Sequence, residues 1–285
     1  MKIKKILISQ PEPQLVEKSP YNDIHTRFGI QVDYKPFIRV ESVGLKEFLG
    51  QRVDILQHTC IIFTSRTSVD HFFRICTEAR ITVPEMMKYI CNTEAVALYM
   101  QKYIVYRKRK ISFADGSFEG LMTLILKNKN EKQLLVLSEP HKPEVPETME
   151  KLGLDFHEII LSRAVSNDMG EIDLSSYDMA AFFSQADIDS LVAQFGTENL
   201  PLIATFGNGA TRAAVKAGLT VAVNAPAPGV PSMAKAIEIY VKNAEEGKPQ
   251  QPVVPKEETD KVEEFLAQYK GRKKAKPQKD TGTTA

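Results

Sequence analysis

Short unbroken apolar runs recur along the chain, each closing on a small polar residue. Lys5–Ser9 reads KILIS, Cys60–Ser65 reads CIIFTS, Gln133–Ser138 reads QLLVLS and Met179–Ser184 reads MAAFFS. Runs without polar alternation predict strands covered on both faces, as in a parallel sheet. Between them the apolar spacing lengthens. Val69, Phe72, Phe73 and Cys76 form the core stripe of a helix that starts after Ser65. Ser65, Ser117, Ser184 and Ser232 each stand just before a helical stretch and predict N-caps, because a serine oxygen can accept from an amide that the first helical turn leaves unpaired.

The alternation also repeats itself. Lys5–Val40 and Gln133–Val165 share a strand, a Ser- and Pro-rich turn, a helix ending in Phe-Gly or Leu-Gly, and a second strand. Cys60–Ser65 with its helix matches Met179–Ser184 with its helix; Tyr89–Lys102 matches Ala204–Gly218, and Ser117–Leu126 matches Ser232–Val241. The copies occur in a permuted order. Strand and helix alternating throughout predict an α/β protein of two doubly wound parallel-sheet domains. Ligands of such sheets bind beyond the carboxyl ends of the strands, here Ser9, Ser65, Cys91, Ser138, Ser184 and Gly207.

Composition narrows the function classes. The 285 residues allow two cored domains. Ile6-Leu7-Ile8 is too short for a secretory core, and no stretch approaches the roughly 20 apolar residues of a membrane helix. Cys60, Cys76 and Cys91 have no paired spacing, so neither a disulfide framework nor a metal site is expected, and a reducing cytoplasm is the expected compartment. A net charge of +1 gives no global field for nucleic acid. Of the basic stretches Lys102–Lys110 and Lys270–Lys279, Arg107–Lys110 reads as a solvated strand edge and the second as a solubilising tail, and Lys270–Ala285 is expected to be disordered. Gly207-x-Gly209 lacks the third glycine and the acidic residue of a dinucleotide turn. Cys91 reads as a small buried hydrophobe, and His25, His58, His71, His141 and His157 as surface or packing residues.

Phe63-Thr64-Ser65-Arg66-Thr67-Ser68-Val69, then Phe183-Ser184 and Phe206-Gly207-Asn208-Gly209-Ala210-Thr211-Arg212, occur in an order that resembles the uroporphyrinogen-III synthase family from about Lys4 to Lys242. The resemblance implies one domain from residues 1–37 plus 168–245 and a second from 42–160. Two extended linker strands near Pro36–Glu41 and Ile160–Asn167 would join them, with a substrate cleft between. Residues 246–285 would form a linker, a short helix and a basic tail. It also implies a cyclising lyase of tetrapyrrole and heme biosynthesis, acting as a monomer without metal or cofactor and without membrane or specific nucleic-acid partners. Its substrate would be hydroxymethylbilane, a polycarboxylate chain of four pyrroles that loses water, closes and inverts its last ring.

On that resemblance the substrate-binding set is Thr64, Ser65, Arg66, Asn92, Ser117, Ser138, Ser184, Gln185, Gly207, Asn208, Gly209 and Thr211. Turn amides at helix N-termini suit carboxylates without buried lysines, and Arg66 and Arg212 are the nearest mobile cations. Ser162 stands where the family often has a tyrosine, and is the candidate catalytic donor; Ser162→Tyr is expected to raise turnover. Cys91 stands for the usual glycine, Glu94 for a threonine, and Ala210-Thr211 reverses the usual Thr-Ala. A two-lobed tetrapyrrole- or anion-binding protein without catalysis remains the alternative.

Overall fold

The computed structural model describes residues 2–170, 172–248, 251–254 and 260–274. Contacts divide these residues into two compact units. One runs to Val40 and resumes at Ala164; the other comprises Glu41–Arg163 together with the C-terminal helix. The chain thus passes from one unit to the other within β3 (Ile38–Ser42) and within β8 (Phe156–Ser166).

In the first unit, β1 (Lys5–Ile8), β2 (Gln31–Tyr34), β9 (Met179–Phe182), β10 (Leu202–Phe206) and β11 (Val221–Ala225) form a sheet in the order β11-β10-β9-β1-β2. Every pair is parallel. The apolar runs alternate sides: Ile6 and Ile8 enter one core with Ile24 and Ile237, while Leu7 enters another with Ile188 and Leu191. Helices α1 (Asn22–Phe28) and α9 (Met233–Glu245) supply the first core. Helix α7 (Gln185–Phe195) and helix α8 (Asn208–Lys216) supply the second.

In the second unit, β4 (Cys60–Phe63), β5 (Lys88–Cys91), β6 (Ile111–Phe113) and β7 (Gln133–Glu139) join β3 and β8 in the order β3-β8-β7-β4-β5-β6. The pairs from β8 to β6 are parallel. Val43 N–H donates to Leu161 C=O and the Arg39 guanidinium to Ser166 C=O, so β3 and β8 run in opposite directions. Ile61 and Phe63 face α2 (Leu45–Gly50), α3 (Arg66–Glu78) and α4 (Glu94–Tyr99). Cys60 and Ile62 face α5 (Phe118–Lys127) and α6 (Glu144–Lys151). Val69, Phe72 and Cys76 of α3 are buried, as their spacing predicts, while Phe73 is half-buried against the same core.

Apart from β3, the second sheet repeats the first with a permuted chain order. Strands β6, β5, β4, β7 and β8 occupy the positions of β11, β10, β9, β1 and β2. The C-terminal helix α10 (Lys261–Lys274) extends beyond the acidic stretch into the start of the basic one. It buries Val262, Phe265 and Leu266, and Phe265 meets Phe118 edge-on. The remainder of the expected tail, residues 275–285, lies outside the described residues.

Candidate functional site

At the carboxyl edge of the first sheet, the turn after β9 is closed by Ser184, the N-cap of α7, together with Asp187. Ser184 Oγ accepts from Asp187 N–H at 3.1 Å and donates to the Asp187 carboxylate at 2.8 Å, while Phe183 N–H donates to the same carboxylate oxygen at 3.1 Å. Ser184 is half-buried and Gln185 exposed, but Asp187 is only 2% exposed. Burial raises the Asp187 pKa above the ordinary aspartate value, against hydrogen bonds from the Ser184 hydroxyl and the turn amides.

The turn after β10 is built differently. Gly207 precedes α8 at φ 83°, ψ 151°, a region essentially reserved for glycine. Its N–H donates to Ala225 C=O at 2.6 Å, and its C=O accepts from Thr211 N–H at 3.2 Å. No side chain caps α8, so the amides of its first turn have no side-chain partner. Asn208 is exposed, and no atom lies within 4 Å of the positions where Gly207 and Gly209 lack a Cβ. Thr211, expected to bind substrate, is instead fully buried. Its hydroxyl bonds Thr205 Oγ1 at 2.8 Å and Gly207 C=O at 3.1 Å, locking the turn from beneath.

In the second sheet, Thr64 and Ser65 are half-buried, and Ser65 forms a capping box with Ser68. Arg66 is exposed, with its guanidinium 5.5 Å from the Tyr99 ring centroid. Tyr99 in turn donates to Asp70, which also accepts from Tyr103 and from Lys102 at 3.0 Å. Asn92 uses its N–H on Phe63 C=O and its C=O on Gly116 N–H, so its backbone is committed within the fold. Thr93 caps α4 by accepting from Val96 N–H at 3.3 Å, and Glu94 stands exposed in the same first turn. Ser117 caps α5, and its hydroxyl donates to Asp115 at 2.6 Å.

Ser138 and Ser162 face each other across β7 and β8, their hydroxyls 2.7 Å apart. Ser162 is 1% exposed. The expected catalytic donor is therefore buried and hydrogen-bonded to its cross-strand neighbour. Beside it Arg163 bonds Glu139 at 2.7 Å and forks onto Glu47, whose carboxyl it holds below the usual range.

Counted from the N-caps, Thr93 and not Cys91 is the counterpart of Gly207; Cys91 is a fully buried strand residue. Asp187 was missed by the sequence reading, although the Ser184-x-x-Asp187 spacing is a capping-box signature. Among the described residues no cluster of His, Cys, Asp or Glu could hold a metal ion, and no helix is long and apolar enough to cross a membrane.

Comparison with known proteins follows the same pattern. The family described as Uroporphyrinogen-III synthase HemD matches residues 20–235. No curated protein matches the chain. Among solved structures, a mutant uroporphyrinogen III synthase from Thermus thermophilus superposes with a TM-score of 0.56 at 11% identity, covering 85% of this chain and 99% of that one. The synthase from Helicobacter pylori gives 0.54 at 13% identity, over 84% of this chain and 99% of that one. At such identities these two likenesses speak for the fold.

Proposed function

The chain belongs to the uroporphyrinogen-III synthase family, and from that premise we propose that it cyclises hydroxymethylbilane to uroporphyrinogen III by using the carboxyl-end turns of its sheets to hold the substrate. The reaction expels the terminal hydroxyl as water, lets the far pyrrole attack the resulting electrophile at its substituted carbon, and recloses with the last ring inverted. Restraint is central, because an unguided chain closes to isomer I.

The observation that carries the residue-level reading is the uncapped start of α8. Its open first-turn amides, behind two glycines that admit close approach, suit a carboxylate of the substrate. Gly207, Asn208 and Gly209 are the binding turn on this reading, with Ser184 and Gln185 beside them on the same sheet edge. Thr64, Ser65 and Arg66 are the corresponding contacts in the second unit, where stacking on Tyr99 prepositions the Arg66 guanidinium. Thr211, Ser138 and Ser162 support these turns from within. We also read the protein as a monomer in a reducing compartment, which suits its buried, free Cys60, Cys76 and Cys91.

The test is a product ratio. Purified protein supplied with freshly generated hydroxymethylbilane is expected to yield isomer III over isomer I, separated by chromatography after oxidation. Isomer I alone at every enzyme concentration would remove the catalytic reading, and retained tetrapyrrole binding would then favour a binding protein.

A further inference from the structure

We propose that Asp187 and Ser184 form a proton relay at the carboxyl edge of the first sheet, in which Asp187 stores the proton and the Ser184 hydroxyl hands it to the departing hydroxyl of the substrate. The proposal rests on the synthase reading above and supplies the acid that Ser162 cannot provide.

Three features carry it. First, the two groups lie within proton-transfer distance: Ser184 Oγ and Asp187 Oδ2 are 2.8 Å apart, so a protonated Asp187 can donate to Ser184 Oγ when the serine hydroxyl turns to the substrate, with Ser184 half-buried and Asp187 buried. Second, Asp187 Oδ1 is buried without a hydrogen-bond partner, and so is the hydroxyl of Ser9, which faces the same carboxyl group from the end of β1. A buried oxygen that no donor reaches disfavours the charged carboxylate and favours a protonated one. The groups facing Asp187 are uncharged: Ser9 from β1 and the Phe183–Ser184 turn.

Third, the duplicated fold contains its own control. At the equivalent place in the second sheet, Ser65 is boxed by Ser68, which is 1% exposed and closes the turn without an ionisable group. A serine N-cap at this place therefore does not require a carboxyl three residues on. Burial also shields it from the carboxylates of the substrate.

The proton balance closes over one turnover. As the substrate C–O bond breaks with its electron pair on oxygen, Ser184 gives its proton to that oxygen, water leaves, and Asp187 reprotonates Ser184. The pyrrole nitrogen lone pair stabilises the carbon left behind. When the far pyrrole has attacked and the ring recloses, the proton lost from the ring carbon returns through Ser184 to the Asp187 carboxylate.

The experiment compares wild type with D187N, which keeps an acceptor oxygen for Phe183 N–H and removes the titration. Steady-state rates with hydroxymethylbilane are taken across pH, with isomer ratios and melting temperatures in parallel. D187N is expected to lower kcat about 100-fold with KM within a few-fold, and to lack the fall in kcat that wild type shows as pH rises through the carboxyl titration. A bilane whose leaving group needs no proton should be closed equally fast by both proteins, a rescue that a purely structural role would not give.

The melting temperature of D187N relative to wild type should rise with pH. The folded-state pKa of Asp187 is raised, so the stability it confers is complete below the unfolded pKa and lost as pH climbs through the folded one. If D187N does not fold, D187S copies the arrangement at Ser68 and should show the same loss of kcat. Wild-type kcat and pH profile in either folded variant, while wild type makes isomer III, overturn the relay alone. Isomer I alone from wild type overturns the synthase reading beneath it.

Discussion

The turns after β10 and β5 occupy the same place in two copies of one sheet, yet they treat the start of the following helix in opposite ways. After β5, Thr93 caps α4 with its own side chain and Glu94 adds a carboxylate to the positive end of the helix, so the chain satisfies itself. After β10, Gly207 offers no side chain and α8 begins bare. The duplication has preserved a scaffold and let the chemistry diverge. Exposed carboxylates follow on both edges, Asp115 and Glu139 on the second and Glu12 on the first, whereas Asp187 on the first is buried.

The strongest way to break this contrast is to give the bare turn a side chain. Gly207→Ala forces a Cβ into a glycine-only backbone region. It should cost about 1–3 kcal/mol of stability and, by displacing the turn, about 100-fold in kcat/KM, read from thermal melts and steady-state kinetics. The matched change Thr93→Ala should cost only about 1 kcal/mol and leave kcat/KM within a few-fold; equal kinetic losses at both sites would erase the distinction.

A second test concerns Ser162. Because its side chain is enclosed between strands, Ser162→Tyr should overpack the site and lower stability by about 1–3 kcal/mol without any gain in turnover. Higher kcat in a fully folded S162Y would restore the expectation read from the sequence. The smallest effect is expected at Glu94, where Glu94→Gln removes an exposed charge. It should lower KM by a few-fold at low salt and by less at high salt, since screening weakens exposed charges; an unchanged KM would place the substrate away from α4.

Much of the scaffold was legible. The apolar runs located strands in both sheets because both faces are covered, and the serines at 65, 117, 184 and 232 all cap helices by local hydrogen bonds. Strand β11 was not singled out: Ala222 and Asn224 are only partly buried, which breaks the apolar run. The site was less legible. Whether Thr211 and Ser162 face a ligand or a neighbouring hydroxyl depends on helix rotation and strand register, which are settled by packing. Asn92 shows the same limit, its backbone being claimed by Phe63 and by Gly116, a loop residue beyond β6.

The permuted order of the strands also bears on how the protein is made. Strands β3 to β8 of the second sheet emerge from the ribosome in one uninterrupted stretch and can pair as soon as Arg163 is clear of the exit tunnel. The first sheet cannot: the Lys5 amide must wait for Asp178, 173 positions downstream, to supply its hydrogen-bond acceptor. During synthesis β1 and β2 are therefore a nascent edge without its neighbour, carrying the apolar run Ile6-Leu7-Ile8 in the open. That interval, about ten seconds or more at ordinary translation rates, is when the amino-terminal segment has most need of a holding chaperone.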